Sequence, residues 1–160
     1  MDEQIFEEIY EKTARPLWAY IARISGSATA ADDILQETYL RFLNSPPKEN
    51  DMTQAKSYLY TIATNLAYDR FRRIKRESDV EVFLSMASEM MPNNFEEETG
   101  MMQVFSQLKQ QERALLWLAY VEGYEHREIA GILKLNSMSV RVLLFRARRK
   151  LAQLLESEKK

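Results

Sequence analysis

Apolar residues recur at steps of three and four along most of this chain. Between Asp2 and Ile24 they fall at Ile5, Ile9, Leu17, Tyr20, Ile21 and Ile24, with Thr13 in register, which makes one buried face of a first helix. Pro16 lies inside that pattern and predicts a kink or a break, because it removes a backbone donor and crowds the preceding turn. Ser25-Gly26-Ser27 is a stop signal. Ser27 or Thr29 caps a second helix, whose first turn carries Asp32 and Asp33 where the helix dipole favours acids. Its buried stripe is Ala31, Ile34, Leu35, Thr38 and Phe42. The polar stretch NSPPKENDMT reads as a loop stiffened by Pro46-Pro47. A third helix runs from about Gln54 to Arg76, with Ala55, Leu59, Ile62, Leu66 and Arg70 along one side. Tyr58, Tyr60 and Tyr68 crowd the rest of it.

Residues 78–100 lose this period. Their second half is acidic and holds Pro92, Asn93, Asn94 and Gly100, so the stretch reads as a linker with a short helical piece. Helical patterns resume over roughly 101–108, 110–121, 125–133 and 137–155, interrupted by Gly123 and by Lys134-Leu135-Asn136. The predicted fold class is therefore all-α: two small helical domains, 1–77 and 101–160, joined by an acidic linker at 78–100.

Composition narrows the picture. The chain has 160 residues, 46% of them apolar, so packed cores are expected rather than disorder. Four Gly and four Pro are too few punctuators for a many-stranded β protein. Cysteine is absent, which removes disulfides and thiolate metal sites and suits a reducing cytoplasm. No apolar run reaches the roughly 18 residues of a membrane span. The beginning, MDEQIFEEIYEK, is acidic where a signal peptide would be basic. Membrane insertion is therefore not expected, and a cytoplasmic location is.

The net charge of −2 argues at first against a nucleic-acid partner, but it hides a division. Residues 1–77 carry 11 Lys/Arg against 12 Asp/Glu, residues 78–100 none against 6, and residues 101–160 carry 11 against 6. A basic C-terminal lobe is masked by an acidic connector. Local charge sets the field that a phosphate feels within a Debye length of about 10 Å.

The most specific local pattern is EHREIAGILKLNSMSVRVLLFRARRKL. A short helix over Glu125–Leu133, a three-residue turn and a longer helix have helix-turn-helix spacing. Tyr124, Ile129, Ala130, Leu133, Leu135, Val140 and Leu144 supply the apolar lock, and Asn136 or Ser137 caps the second helix. That second helix presents Ser137, Met138, Ser139, Arg141, Val142 and Phe145 toward a major groove, followed by Arg146, Arg148, Arg149 and Lys150 for phosphates. The bland alternative is an amphipathic helix with a solvated basic face. Spacing, small residue, cap and basic run coincide here, and they favour DNA.

At this point a family resemblance is plain. Residues 108–155, with the string YVEG, the EIA helix and the ending RARRKL, resemble region four of the extracytoplasmic-function (ECF) sigma factors of the sigma-70 family. Residues 6–76 resemble region two of the same family. FEEIYEKTARPLWAYIARI is similar to its first helix, ADDILQETYLRFL to its core-binding helix, and AKSYLYTIATNLAYDRFRR to its promoter-opening helix. The resemblance implies an initiation factor for RNA polymerase that catalyses nothing by itself. Region two would dock on the polymerase and open the minus-ten DNA, and region four would read the minus-thirty-five element. The family usually has Gly where this chain has Lys134; in a left-handed turn Lys costs roughly 1 kcal/mol relative to Gly. It commonly has basic residues where this chain has Leu143, Thr61 and Thr64.

The resemblance also assigns surfaces. Asp33, Gln36, Glu37 and Leu40 lie on one stripe of the second helix opposite its buried side, which by itself is the pattern of a solvated face. In the family this surface meets a coiled coil of the polymerase β-prime subunit; the β flap is the second implied contact on the core. Tyr58, Tyr60, Asn65 and Tyr68 become candidates for capturing unstacked minus-ten bases, with Tyr58 partly in the core. Arg70, Arg72, Arg73, Lys75 and Arg76 are five cations in seven residues, more than a helix dipole needs, and suit phosphates. The loop Asn44–Thr53 resembles one that pockets a flipped base. The linker is either a flexible tether or an acidic strap that mimics nucleic acid. An anti-sigma protein is a further implied partner. His126 reads as a surface or capping residue, and no catalytic residue, metal site or cofactor is expected. Two other classes compete: a dimeric helix-turn-helix regulator independent of polymerase, and a helical interaction protein that ignores DNA.

Overall fold

The computed structural model describes residues 1–48, 51–76 and 100–158. Helix α1 (Glu3–Ser25) begins where the Asp2 carboxylate accepts the Gln4 N–H at 2.9 Å, and it ends at Gly26. Gly26 has φ 74°, a left-handed value that glycine adopts at little cost, and its N–H closes on the Ala22 carbonyl at 2.8 Å. Of the two candidate caps for α2 (Ala28–Asn44), Ser27 is the one used: its hydroxyl accepts the Ala30 N–H at 3.1 Å. Helix α3 spans Met52–Arg76. These three helices pack pairwise around Leu17, Tyr20, Ile21, Ile24, Phe42 and Leu59, all fully buried.

Of the kink or break expected at Pro16, the break is not there; α1 passes through it. The missing donor leaves the Lys12 carbonyl at an exposed position, within reach of water. Buried Thr13, Leu17 and Tyr20 hold both sides of the proline against the core, and tertiary packing outweighs the local defect. Thr13 itself is pinned, with its hydroxyl donating to the Ile9 carbonyl at 2.7 Å and lying 2.6 Å from the Tyr39 hydroxyl.

The second lobe comprises α4 (Gly100–Phe105), α5 (Gln110–Leu116) continued by a π-helical stretch Trp117–Val121, α6 (His126–Leu133) and α7 (Ser137–Glu158). Its core is Val104, Leu115, Leu118, Ile129, Ile132, Val140 and Leu144. The described residues contain no strand, in keeping with the all-α expectation. The linker expected at 78–100, with its short helical piece, lies outside the described residues except for Gly100. None of the described helices is long and apolar enough to cross a membrane.

The two helical lobes form as expected, and they also pack on each other, α1 against α5 and α3 against α6. Arg113 of α5 and the amide of Gln110 both donate to the Ile24 carbonyl, each at 2.9 Å. That carbonyl sits in the last turn of α1, where helix carbonyls lack partners and the dipole is negative. Burial draws the Arg113 guanidinium down to about 10, still charged at neutral pH. On the α3 side, the Glu122 carboxylate accepts the Tyr60 hydroxyl at 2.6 Å and lies 3.3 Å from the Lys56 ammonium. The Tyr60 and Tyr124 rings meet edge-on with centroids 5.8 Å apart.

Candidate nucleic-acid and protein interfaces

The helix-turn-helix forms as the spacing predicts. Lys134 takes φ 57° and ψ 47°, a left-handed turn residue, while its N–H and that of Leu135 both close on the Ala130 carbonyl. The small Ala130 is buried at this crossing with Ile129, Leu133, Val140 and Leu144, and Tyr124 and Leu135 are half-buried beside them. Asn136 is the cap of α7, accepting the Met138 N–H on its side-chain oxygen at 2.9 Å. His126 opens α6 and is exposed, as expected of a surface residue.

This geometry leaves Ser137, Met138, Ser139, Arg141, Val142, Phe145, Arg146, Arg148 and Arg149 on the open side of α7. Lys150 is different. It is half-buried, and its ammonium pairs with the Glu112 carboxylate of α5 at 3.0 Å, so it braces α7 against the lobe instead of standing free for a phosphate. Burial opposes charge on Glu112, but the Lys109 backbone N–H and the Lys150 ammonium prevail and hold its carboxyl below the ordinary value.

In the first lobe Arg72, Arg73, Lys75 and Arg76 are exposed at the end of α3. Arg72 pairs with Asp69, and Arg70 is half-buried in a hollow shared with Asp33, Glu37, Arg41 and Arg73. Asn65 is half-buried. Tyr60, expected to face DNA, does not do so in the packed form: it has no exposed surface, stacks 5.0 Å from Tyr20, and gives its hydroxyl to Glu122. Burial, reinforced by the carboxylate partner, pushes its phenol far above the ordinary range. Tyr68 is half-buried and raised to about 12, again by burial. Tyr58 is half-buried, as expected, donating to the Ser45 carbonyl at 2.8 Å. Glu49 and Asn50 of the Asn44–Thr53 loop lie outside the described residues.

The stripe Asp33, Gln36, Glu37 and Leu40 is exposed throughout, and Leu40 keeps 52% of its surface. Glu37 forms an ion pair with Arg41 at 3.1 Å. Beside the stripe, Tyr10, Leu35, Tyr39 and Leu43 line an apolar hollow that Leu40 completes. Tyr10 and Leu43 escaped the sequence reading because they belong to different helices. Their one sequence signal is being apolar off the buried faces of α1 and α2. Arg113, Gln110 and Glu122 were also missed as interface residues. A charged residue amid the apolar run of α5 was the available hint.

Comparison with known proteins bears on the whole chain. The family model for sigma-70 region 2 matches residues 9–77, and that for sigma-70 region 4 matches residues 100–151. The ECF RNA polymerase sigma factor SigL of Mycobacterium tuberculosis is 28% identical over 153 residues, covering 92% of this chain and 86% of that protein. EcfG of Rhodopseudomonas palustris, also an ECF RNA polymerase sigma factor, is 29% identical over 145 residues, 87% and 78% of the two chains. Among solved structures, the sigma factor RpoE of Bartonella quintana, in complex with the anti-sigma factor NepR, superposes with a TM-score of 0.73 at 19% identity over 94% of this chain and 96% of that one. CnrH, in complex with the cytosolic domain of CnrY, superposes at 0.68 with 24% identity over 98% and 90%. Both likenesses establish the shared fold.

Proposed function

This chain belongs to the sigma-70 family as a sigma factor of the ECF type, and on that premise we propose how its parts divide the work of starting transcription. It directs core RNA polymerase to particular promoters by binding and strand separation, with no bond chemistry of its own. The observation that carries this reading is the conjunction, in one chain and in order, of a region-two helical lobe with an exposed acidic stripe and a region-four helix-turn-helix with an exposed basic helix.

In this proposal residues 1–77 engage the polymerase and the minus-ten DNA, and residues 101–160 engage the minus-thirty-five element. Asp33, Gln36, Glu37 and Leu40 meet the basic β-prime coiled coil, supported by their shared exposure and by the apolar hollow beside Leu40. Arg72, Arg73, Lys75 and Arg76 track phosphates downstream. Ser137, Met138, Ser139, Arg141, Val142 and Phe145 enter the major groove, and Arg146 and Arg149 hold its backbone. The β flap is the second contact on the core. Tyr60 reaches DNA only after the lobes part, since in the packed form its hydroxyl is held by Glu122 and its ring meets Tyr124, both of the second lobe. Two DNA-reading lobes on one tether gain effective concentration for a two-part site. An anti-sigma protein is a fitting regulator, since the sigma factor RpoE of Bartonella quintana, a chain of this fold, is solved with one bound; the site of action is the cytoplasm.

The test is reconstituted run-off transcription from the promoter upstream of its own gene. A defined transcript requires core enzyme and this chain together. A transcript with core enzyme alone, or none with both while the chain binds a palindromic duplex as a dimer, overturns the reading in favour of an independent regulator.

A further inference from the structure

Helix α7 exposes three large apolar side chains in a row: Met138 keeps 81% of its surface, Val142 48% and Phe145 61%. Steps of four and three put them on one stripe at about 100° per residue, roughly opposite buried Val140, Leu144 and Ala147. Arg141 and Arg148 flank the stripe on one edge, Arg146 flanks it on the other, and Arg149 continues it one turn on. The stripe rises about 10 Å along the helix, enough to pass about three base-pair steps. Isolated exposed apolar residues are ordinary, but a contiguous stripe bordered by cations on both sides marks a surface to be covered.

What covers it must be apolar along its centre and anionic along both edges. A major groove in which thymine methyl groups line the floor and phosphates line the walls has that layout. We infer that Met138, Val142 and Phe145 read thymine C5-methyl groups, making α7 a selector for consecutive A·T pairs in the upstream promoter element. This rests on the reading of α6 and α7 as the DNA-binding helix-turn-helix. Selection works in both directions. A thymine methyl gains apolar contact with the stripe. The amino group of cytosine or the carbonyl of guanine would instead be pressed against side chains offering no hydrogen bond, and buried polar groups without partners are unfavourable. Arg146 and Arg148 at the edges hold the helix in register on the phosphates, while Arg141 enters the groove beside the stripe.

Uracil isolates the claim, since it differs from thymine only in lacking that methyl and pairs identically. Holoenzyme reconstituted from core polymerase and the full chain is used to select its preferred duplexes from a random pool. These are then resynthesised with deoxyuridine at each thymine of the upstream element, and binding is measured by fluorescence anisotropy. The expected result is upstream thymines in the selected duplexes, and a loss of about fourfold in affinity for each methyl removed. Phe145→Ala, Met138→Ala and Val142→Ser are exposed substitutions, and circular dichroism checks that the helices remain. Each should weaken binding to the thymine duplex and shrink the uracil penalty.

Selective binding in which uracil costs less than about twofold overturns the inference and leaves the sigma-factor reading standing. Normal duplex binding by Phe145→Ala together with lost binding to core enzyme overturns it too, and turns the stripe toward the polymerase. Absence of any sequence-selective duplex binding by the holoenzyme overturns both the inference and the reading beneath it.

Discussion

Replacing Glu122 by Ala should loosen the two lobes from each other. The Glu122 side chain is only 7% exposed, yet it carries a carboxylate with partners in the opposite lobe, the Tyr60 hydroxyl at 2.6 Å and the Lys56 ammonium at 3.3 Å. A charge-assisted hydrogen bond such as that to Tyr60 contributes about 1.5–3 kcal/mol. The Lys56 pair counts for less, because Lys56 is 34% exposed and water screens it; about 0–1 kcal/mol is appropriate. The substitution should therefore cost about 2–4 kcal/mol of lobe-to-lobe affinity, a shift of roughly 30- to 700-fold toward the parted form. The chain has no cysteine, so Glu11→Cys on α1 and Gln153→Cys on α7 accept a dye pair without competing sites. Energy transfer between the dyes should fall and broaden in the Glu122→Ala protein. A double-mutant cycle with Tyr60→Phe, followed by urea unfolding, should return a coupling above about 1 kcal/mol. An unchanged transfer distribution with coupling near zero would show that this contact does not hold the lobes.

Three other outcomes can be checked. Lys134 sits at φ 57°, so Lys134→Gly should raise stability by about 1 kcal/mol and the melting temperature by about 2–4 °C, whereas Lys134→Ala should give no such gain. Scanning calorimetry of the three proteins decides it, and equal gains for Gly and Ala would refute the backbone argument. Glu37→Lys should abolish capture of core polymerase while leaving helix content unchanged; retained capture removes the acidic stripe from the docking surface. Because its folded carboxyl lies below the ordinary 4.5, Glu112 contributes stability that is fully present above that value and lost as pH falls through the folded one. The urea midpoint of the parent should accordingly exceed that of Glu112→Gln at neutral pH and converge with it in acid. A gap that persists unchanged below the folded value would show that the carboxylate's charge is not its source.

Much of the architecture was legible in the sequence because its signals are short-range. Apolar spacing marked α1, α2, α3, α6 and α7, and the Lys134–Asn136 turn separated α6 from α7. The open face of α7 was readable because its opposite side, Val140 and Leu144, is so clearly apolar. Two choices between neighbouring caps, Ser27 over Thr29 and Asn136 over Ser137, needed the backbone itself.

The fates of Tyr60, Lys150 and Pro16 were decided elsewhere in the chain. Helix α3 carries large side chains on nearly every face, so its periodicity names one buried side but not a second. The second is created by Glu122 and Tyr124 arriving from the other lobe, Glu122 being 62 residues along the chain from Tyr60. Lys150 reads as one more cation in a basic run until Glu112, 38 residues earlier, is folded beside it. Pro16 is a local helix breaker that packing on both sides overrules. Sequence by itself determined which segments are helices and which edge of α7 stays open, since both follow from neighbours within a turn or two. Only the tertiary structure decided which polar groups are paired away, because a hydrogen bond or ion pair depends on distance in space, and no local pattern carries that distance.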